Sequence, residues 1–212
     1  MNTTDTIAAP LPTQNPEGKL TGRVAFVTGG TRGIGAAISQ SLARQGAAIA
    51  AGYAGNVTRA EAFAEEFRCT HADDGVKVTL HRGNVGSGDD CRRAVAEVIE
   101  QHGRLDILVN NAGIAIDKTV AKMTDDDWNK VLSVNLSGAF YLSQAALAHM
   151  LERGTGRIIN VSSVIGETGN IGQANYAASK SGLFGLTKSL AREAIFQLNK
   201  AGRPPGERGT VR

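Results

Sequence analysis

Tyr176 and Lys180 stand four positions apart in the run Tyr176-Ala177-Ala178-Ser179-Lys180. On a helix that spacing puts both side chains on one face. An ammonium beside a phenol favours the phenolate, and such a phenol can exchange a proton with a carbonyl or alcohol oxygen. The alternative is a tyrosine ring packed on a lysine stem. Ser163 follows the apolar run Ile158–Val161 and brings a hydroxyl that can bond the same oxygen. A second constellation is Thr28-Gly29-Gly30-Thr31-Arg32-Gly33-Ile34-Gly35, between an apolar run and an amphipathic one. Its glycines permit a tight turn and let a pyrophosphate approach the backbone, and the helix that follows supplies unpaired N–H groups. Gly29, Thr31, Arg32, Gly33, Ile34 and Gly35 are therefore candidate cofactor-binding residues; a glycine-rich turn without a ligand is the alternative. No Lys-Ser or Lys-Thr follows, which excludes the ATP-type phosphate loop.

The second strand ends in Ala51-Gly52-Tyr53-Ala54-Gly55-Asn56, with no carboxylate to take a ribose 2′-hydroxyl. Arg32 in the turn and Arg59 just beyond suit a 2′-phosphate, which wants guanidinium donors. NADP(H) is thus expected over NAD, with Arg59 read equally well as a solvated helix residue.

The elements that must position these groups alternate along the chain. Strands are expected at Val24–Thr28, Ala47–Ala51, Val76–His81, Leu105–Val109 and Ile158–Val161, each a short apolar or alternating run. Between them lie helical periodicities. Ile34, Ile38 and Leu42 mark the inward face of the first, followed by helices over 58–68, 89–101, 124–153 and 174–199. Thr124-Asp125-Asp126-Asp127 places a hydroxyl at a helix cap and carboxylates in the first turn. This pattern predicts an α/β fold, a doubly wound, Rossmann-like parallel sheet in three αβα layers lacking its last strands.

Composition is that of an ordinary soluble domain: 212 residues, 42% hydrophobic, 20% charged. No uninterrupted apolar run approaches a membrane span, and residues 1–19 lack a signal-peptide pattern and read as a floppy tail. The net charge of +3 is carried by Arg192, Lys200, Arg203, Arg208 and Arg212 against Glu193 and Glu207. The body before them is neutral, so neither nucleic acid nor a membrane is an expected partner. Cys69 and Cys91 form no CxxC pair, which suits a reducing, cytoplasmic setting. The four histidines show no metal-ligand spacing and read as surface or helix-end residues.

Thr28–Gly35, Asn110-Asn111-Ala112-Gly113, Asn135, Ser162-Ser163 and Tyr176-x3-Lys180 resemble, in order and spacing, the short-chain dehydrogenase/reductase family over about residues 20–193. Lys122-Met123-Thr124, Asp127-Trp128, Val134-Asn135-Leu136 and the run from Gly169 through Lys180 resemble its β-ketoacyl reductases. These act on acetoacetyl-CoA or on 3-oxoacyl groups of acyl carrier protein. The resemblance implies that Tyr176 is the general acid, that Lys180 supports it and binds the nicotinamide ribose, and that Ser163 orients the carbonyl. Asn135 would hold a water in the proton relay. Asn84, Val85, Asn111, Ala112 and Gly113 would line the cofactor, and Gln173 would wall the substrate site. It further implies reduction of an acyl thioester by NADPH, and a homo-tetramer built on the helices at 124–153 and 174–199. A cofactor-sensing module without turnover and a dehydrogenase of sugars or steroids remain alternatives. After Glu193 the text departs from the family, and residues 194–212 read as a divergent or truncated tail, by fragmentation or by frameshift, that leaves activity in doubt.

Overall fold

Val24, Ala25, Phe26 and Val27 are all buried, so the strand they form, β1 (Val24–Val27), has no solvent face. A strand of this kind belongs in the middle of a sheet covered on both sides. A computed structural model, which describes residues 18–72, 75–202 and 210–211, places it there. β2 (Ala48–Tyr53), β3 (Val78–Arg82), β4 (Ile107–Asn110), β5 (Arg157–Asn160) and the two-residue β6 (Thr210–Val211) complete a parallel sheet. The strand order is β3-β2-β1-β4-β5-β6. The helices are α1 (Gly33–Ala43), α2 (Val57–Thr70), α3 (Gly88–His102), α4 (Asp125–Leu132), α5 (Gly138–Arg153), α6 (Ile165–Thr168) and α7 (Ala174–Lys200). This is the expected doubly wound αβα arrangement.

Two cores result from the alternation of side chains along β1. Val24 and Phe26 pack with Val95 and Val98 of α3 and with Leu142, Ala146 and Met150 of α5. Ala25 and Val27 pack on the other side with Ala43 of α1 and with Phe63 and Phe67 of α2. The chain winds one way from β1 to β3 and the other way from β4 onward. The crevice at the carboxyl ends of β1 and β4 is therefore the switch point at which such sheets bind ligands.

Local signals explain the helix ends. Thr124 and Asp127 form the reciprocal cap expected of their spacing: Asp127 N–H donates to Thr124 Oγ1 at 3.2 Å and Thr124 N–H to Asp127 Oδ2 at 3.0 Å. Gly103 and Gly154 end α3 and α5 in the left-handed conformation that suits glycine.

Some expectations change. The helix expected over 124–153 is broken by a π-helical turn, Ser133–Ser137, between α4 and α5. Asn135 sits within that turn and reaches sideways to the backbone of Ile114, which the wider turn accommodates. The stretch Asp125–Arg153 is apolar enough to cross a membrane by length and mean hydropathy, but its Leu142 and Ala146 belong to the core. Ile34, expected on an inward face, is 69% exposed, because the first turn of α1 overhangs the sheet edge and faces the crevice. His81 is not a surface or helix-end residue: it is buried inside β3, paired with Thr79 Oγ1 at 2.9 Å and Glu97 Oε2 at 3.4 Å. Its ring lies edge-on to Phe26. Burial lowers the His81 pKa, with Glu97 opposing. The expected division after Glu193 falls within α7. Residues 1–17 of the expected tail, and 203–209 and 212, lie outside the described residues.

Candidate active site

The glycine turn is built by contact. A Cβ on Gly35 would stand 2.0 Å from the Gly29 carbonyl oxygen, and one on Gly30 would stand 2.6 Å from that of Val27. Only glycines let α1 begin this close to the end of β1. Gly29 and Gly33 have φ of +62° and +51°, where a side chain is strained. Arg32 makes no side-chain cap bond, so the first N–H groups of α1 are left for a ligand.

The turn opens onto a cleft of about 840 Å³. Gly29, Thr31, Arg32, Gly33, Ile34 and Gly35 line it. So do Asn84, Val85, Asn111, Ala112 and Gly113, with Arg59 at the rim. The end of β2 contributes Gly52 through Asn56 and no carboxylate. These residues fit a dinucleotide: a glycine cradle, free N–H groups, and the guanidinium groups of Arg32 and Arg59 along the cleft.

The floor of the cleft is tied across the switch point. Thr28 Oγ1 accepts the N–H groups of Asn111 and Ala112, both at 3.0 Å, and Asn111 Nδ2 donates to Thr28 O at 2.9 Å. Asn84 Oδ1 accepts the Gly86 N–H, and its own N–H donates to Asp90 Oδ2 at 2.8 Å. Deeper, Asn110 and Asn160 face each other in register, and Asn110 Nδ2 donates to Asn160 Oδ1 at 2.8 Å and to Ser143 Oγ at 3.0 Å. Asn160 Nδ2 continues the string to Thr187 Oγ1 at 2.8 Å.

Tyr176 and Lys180 share one face of α7, with Lys180 Nζ 5.7 Å from the centre of the tyrosine ring. Lys180 is 4% exposed and donates to Val161 O at 2.7 Å. Burial holds its pKa below the usual lysine value. Ser162 Oγ donates to Lys180 O at 2.7 Å and pins this turn of α7 to the end of β5. Ser163 Oγ accepts the Ile165 N–H at 3.2 Å, which leaves its own proton to offer. A Cβ on Gly113 would lie 3.4 Å from Asn135 Oδ1 and 3.7 Å from Lys180 Nζ, so the wall of the cleft, Asn135 and the lysine meet at one point.

Asn135 is buried, and its amide is committed to protein: Oδ1 accepts the Ile114 N–H at 2.8 Å, while Nδ2 donates to Ile114 O at 2.9 Å and Ser179 Oγ at 3.1 Å. Gln173 lies at the N-cap of α7, bonded to Asp117 Oδ1 and Asn170 Nδ2. Sequence reasoning missed Asn175 and Ser179, both completely buried. Ser179 Oγ donates to Tyr176 O at 2.7 Å. Their signal was present: a polar residue directly before each member of the Tyr-Lys pair, at core-facing positions.

With cradle, cleft and Tyr-Lys face in place, the architecture is that of a dinucleotide-binding oxidoreductase. The model of the short chain dehydrogenase family matches residues 23–197, and the chain belongs to that family. It is 46% identical over 169 residues to a 3-oxoacyl-[acyl-carrier-protein] reductase of Staphylococcus aureus, an alignment that covers 80% of this chain and 67% of that one. It is also 46% identical over 171 residues to an acetoacetyl-CoA reductase of Shinella zoogloeoides, covering 81% and 67%. A crystal structure assigned as a short-chain alcohol dehydrogenase of Sinorhizobium meliloti 1021 superposes with a TM-score of 0.78 at 34% identity, covering 84% of this chain and 69% of that one.

Proposed function

We propose that residues 20–193 form an NADPH-dependent catalytic domain that reduces the ketone of a 3-oxoacyl thioester to the 3-hydroxyacyl thioester. Acetoacetyl-CoA is the favoured substrate, with acyl-carrier-protein thioesters as the alternative carrier. The observation that carries this reading is the Tyr176-Lys180 face, held beside a dinucleotide cleft at the carboxyl edge of the sheet. The relatives' names point to the thioester. Arg32, Arg59 and the absence of a carboxylate among the cleft residues at the end of β2 favour NADPH over NADH.

When held by the glycine turn and the wall at Asn111–Gly113, a nicotinamide would supply the hydride for the ketone carbon. Tyr176 gives its phenolic proton to the ketone oxygen, and Ser163 donates a hydrogen bond to that oxygen and fixes its direction. The Lys180 cation stabilises the charge left on Tyr176. Asn135 holds the Ile114 loop and α7 in place around the lysine. Phe140 and Phe196, 40% and 65% exposed on α5 and α7, belong to the surface that other copies would cover in a homo-tetramer.

The test is NADPH consumption with acetoacetyl-CoA, against a control without substrate. Turnover that is lost in Tyr176→Phe while NADPH binding survives supports the assignment. A Tyr176→Phe variant that turns over like the parent chain refutes it.

A further inference from the structure

Asn175 has 0% exposure, yet it precedes a residue that must meet substrate. The first N–H groups of a helix have no acceptor within it, and the Tyr176 N–H is one of these. The residue at the cap does not serve it: Gln173 makes no side-chain cap bond, and its amide is held by Asp117 and Asn170. Asn175 takes that place. Its Oδ1 accepts the Tyr176 N–H at 2.7 Å, and its Nδ2 donates to Ile116 O at 3.2 Å and Asp127 O at 3.3 Å.

These partners come from three separate pieces. Ile116 lies in the loop that leaves β4 and whose start, Asn111 to Ile114, walls the cleft. Asp127 lies in the first turn of α4. Tyr176 opens α7. The frame is closed from outside by Lys118, whose Nζ donates to Asp127 Oδ2 at 2.7 Å and whose N–H donates to Gly172 O at 2.8 Å. Losing this amide strands a backbone N–H and deprives two backbone carbonyls of a donor, a cost in stability that any buried cap would carry. What the amide supplies here is a direction for the Tyr176 backbone relative to the cleft wall.

We propose that Asn175 is a positioning residue that sets Tyr176 against the wall of the cofactor cleft. The inference rests on the reading of Tyr176 as proton donor. Removing the amide lets the start of α7 turn relative to the wall, and a misplacement of about 1 Å in a reacting group costs on the order of 100-fold in rate.

Two measurements test this on Asn175→Ala and Asn175→Ser. In steady-state kinetics with NADPH and acetoacetyl-CoA, both variants should lose kcat by about 10- to 100-fold with KM for NADPH within about twofold. Val98→Ala, a core truncation away from the cleft with a comparable loss of Tm, should keep kcat. The second readout needs no substrate. The chain has 3 tyrosines, so the Cζ resonance of carbon-13-labelled tyrosine can be assigned by Tyr176→Phe. The Tyr176 resonance should shift in both variants, with and without NADP+, while those of Tyr53 and Tyr141 stay in place. An unmoved Tyr176 resonance, or kcat lost equally in Val98→Ala, overturns the proposal. If the parent chain does not turn over acetoacetyl-CoA, the CoA-thioester reading falls and the resonance alone decides the role of Asn175.

Discussion

Gly35→Ala is the sharpest test of how the cradle works. The added Cβ would stand 2.0 Å from the Gly29 carbonyl oxygen and 2.7 Å from Asn111 Nδ2, where real Cβ atoms keep at least 3.0 Å. Neither neighbour can swing away: one is backbone, and the other is bonded to Thr28 O at 2.9 Å. The start of α1 must therefore recede by about 1 Å, a strain of the overpacking kind that costs about 1–3 kcal/mol. For a domain of this size that lowers Tm by roughly 2–12 °C. The same displacement carries the helix N–H groups away from the ligand, so Kd for NADPH, followed by its fluorescence, should rise by about 10- to 100-fold. Gly103→Ala is the control: φ is +73°, nothing lies within 4 Å of the added Cβ, and the site is at the far end of α3. It should lose about 1–2 kcal/mol from left-handed strain and bind NADPH normally. The reasoning is refuted if Gly35→Ala binds NADPH as the parent does, or if Gly103→Ala weakens binding as much.

Arg32→Glu and Arg59→Glu should each weaken NADPH binding and leave NADH binding nearly unchanged; equal effects on both cofactors would remove these residues from phosphate recognition. Hydrogen bonds from Lys118 and then Thr124 bring the Asp127 carboxyl down from 3.8 to about 2. A depressed carboxylate stabilises the fold above its unfolded value, and the gain is lost as pH falls through the folded one. Asp127→Asn should therefore flatten the acid-unfolding curve between about pH 4 and pH 2, as circular dichroism would show. Asp106 is buried at the opposite edge of the sheet, where burial would raise its pKa but hydrogen bonds from Arg104, Val24 N–H and Arg23 outweigh it and lower it. Asp106→Ala leaves the buried Val24 N–H unpaired, at a cost of about 1–3 kcal/mol in Tm-monitored stability with no change in NADPH binding.

The parallel sheet was legible because most of its strands are short apolar runs, and β1 is buried throughout. The cradle was legible because Gly29, Gly33 and Gly35 each answer to a steric demand that only glycine meets. Asn135 stood out as an asparagine within a helical pattern, but the π turn around it was hidden: its cause is the Ile114 loop, remote in sequence. His81 was misjudged for a like reason. Its partners Thr79 and Glu97 lie on two elements, and only their meeting makes a buried imidazole tolerable. Asn175 was passed over because its three partners are likewise scattered along the chain.

The string from Ser143 and Asn110 through Asn160 to Thr187 acts as a register lock. Apolar runs such as Ile107-Leu108-Val109 against Ile158-Ile159 are nearly interchangeable as neighbours, and burial alone discriminates poorly between sliding alignments. A slip of one residue would turn Asn160 to the other face of the sheet and strand both amides without partners inside the protein. Replacing the whole string with apolar side chains of equal volume would leave stability close to unchanged while removing that penalty on wrong alignments. The lock sits one residue beneath Asn111 and Val161, which touch Thr28 and Lys180, so correct pairing of β4 with β5 also delivers the two halves of the site at the same height.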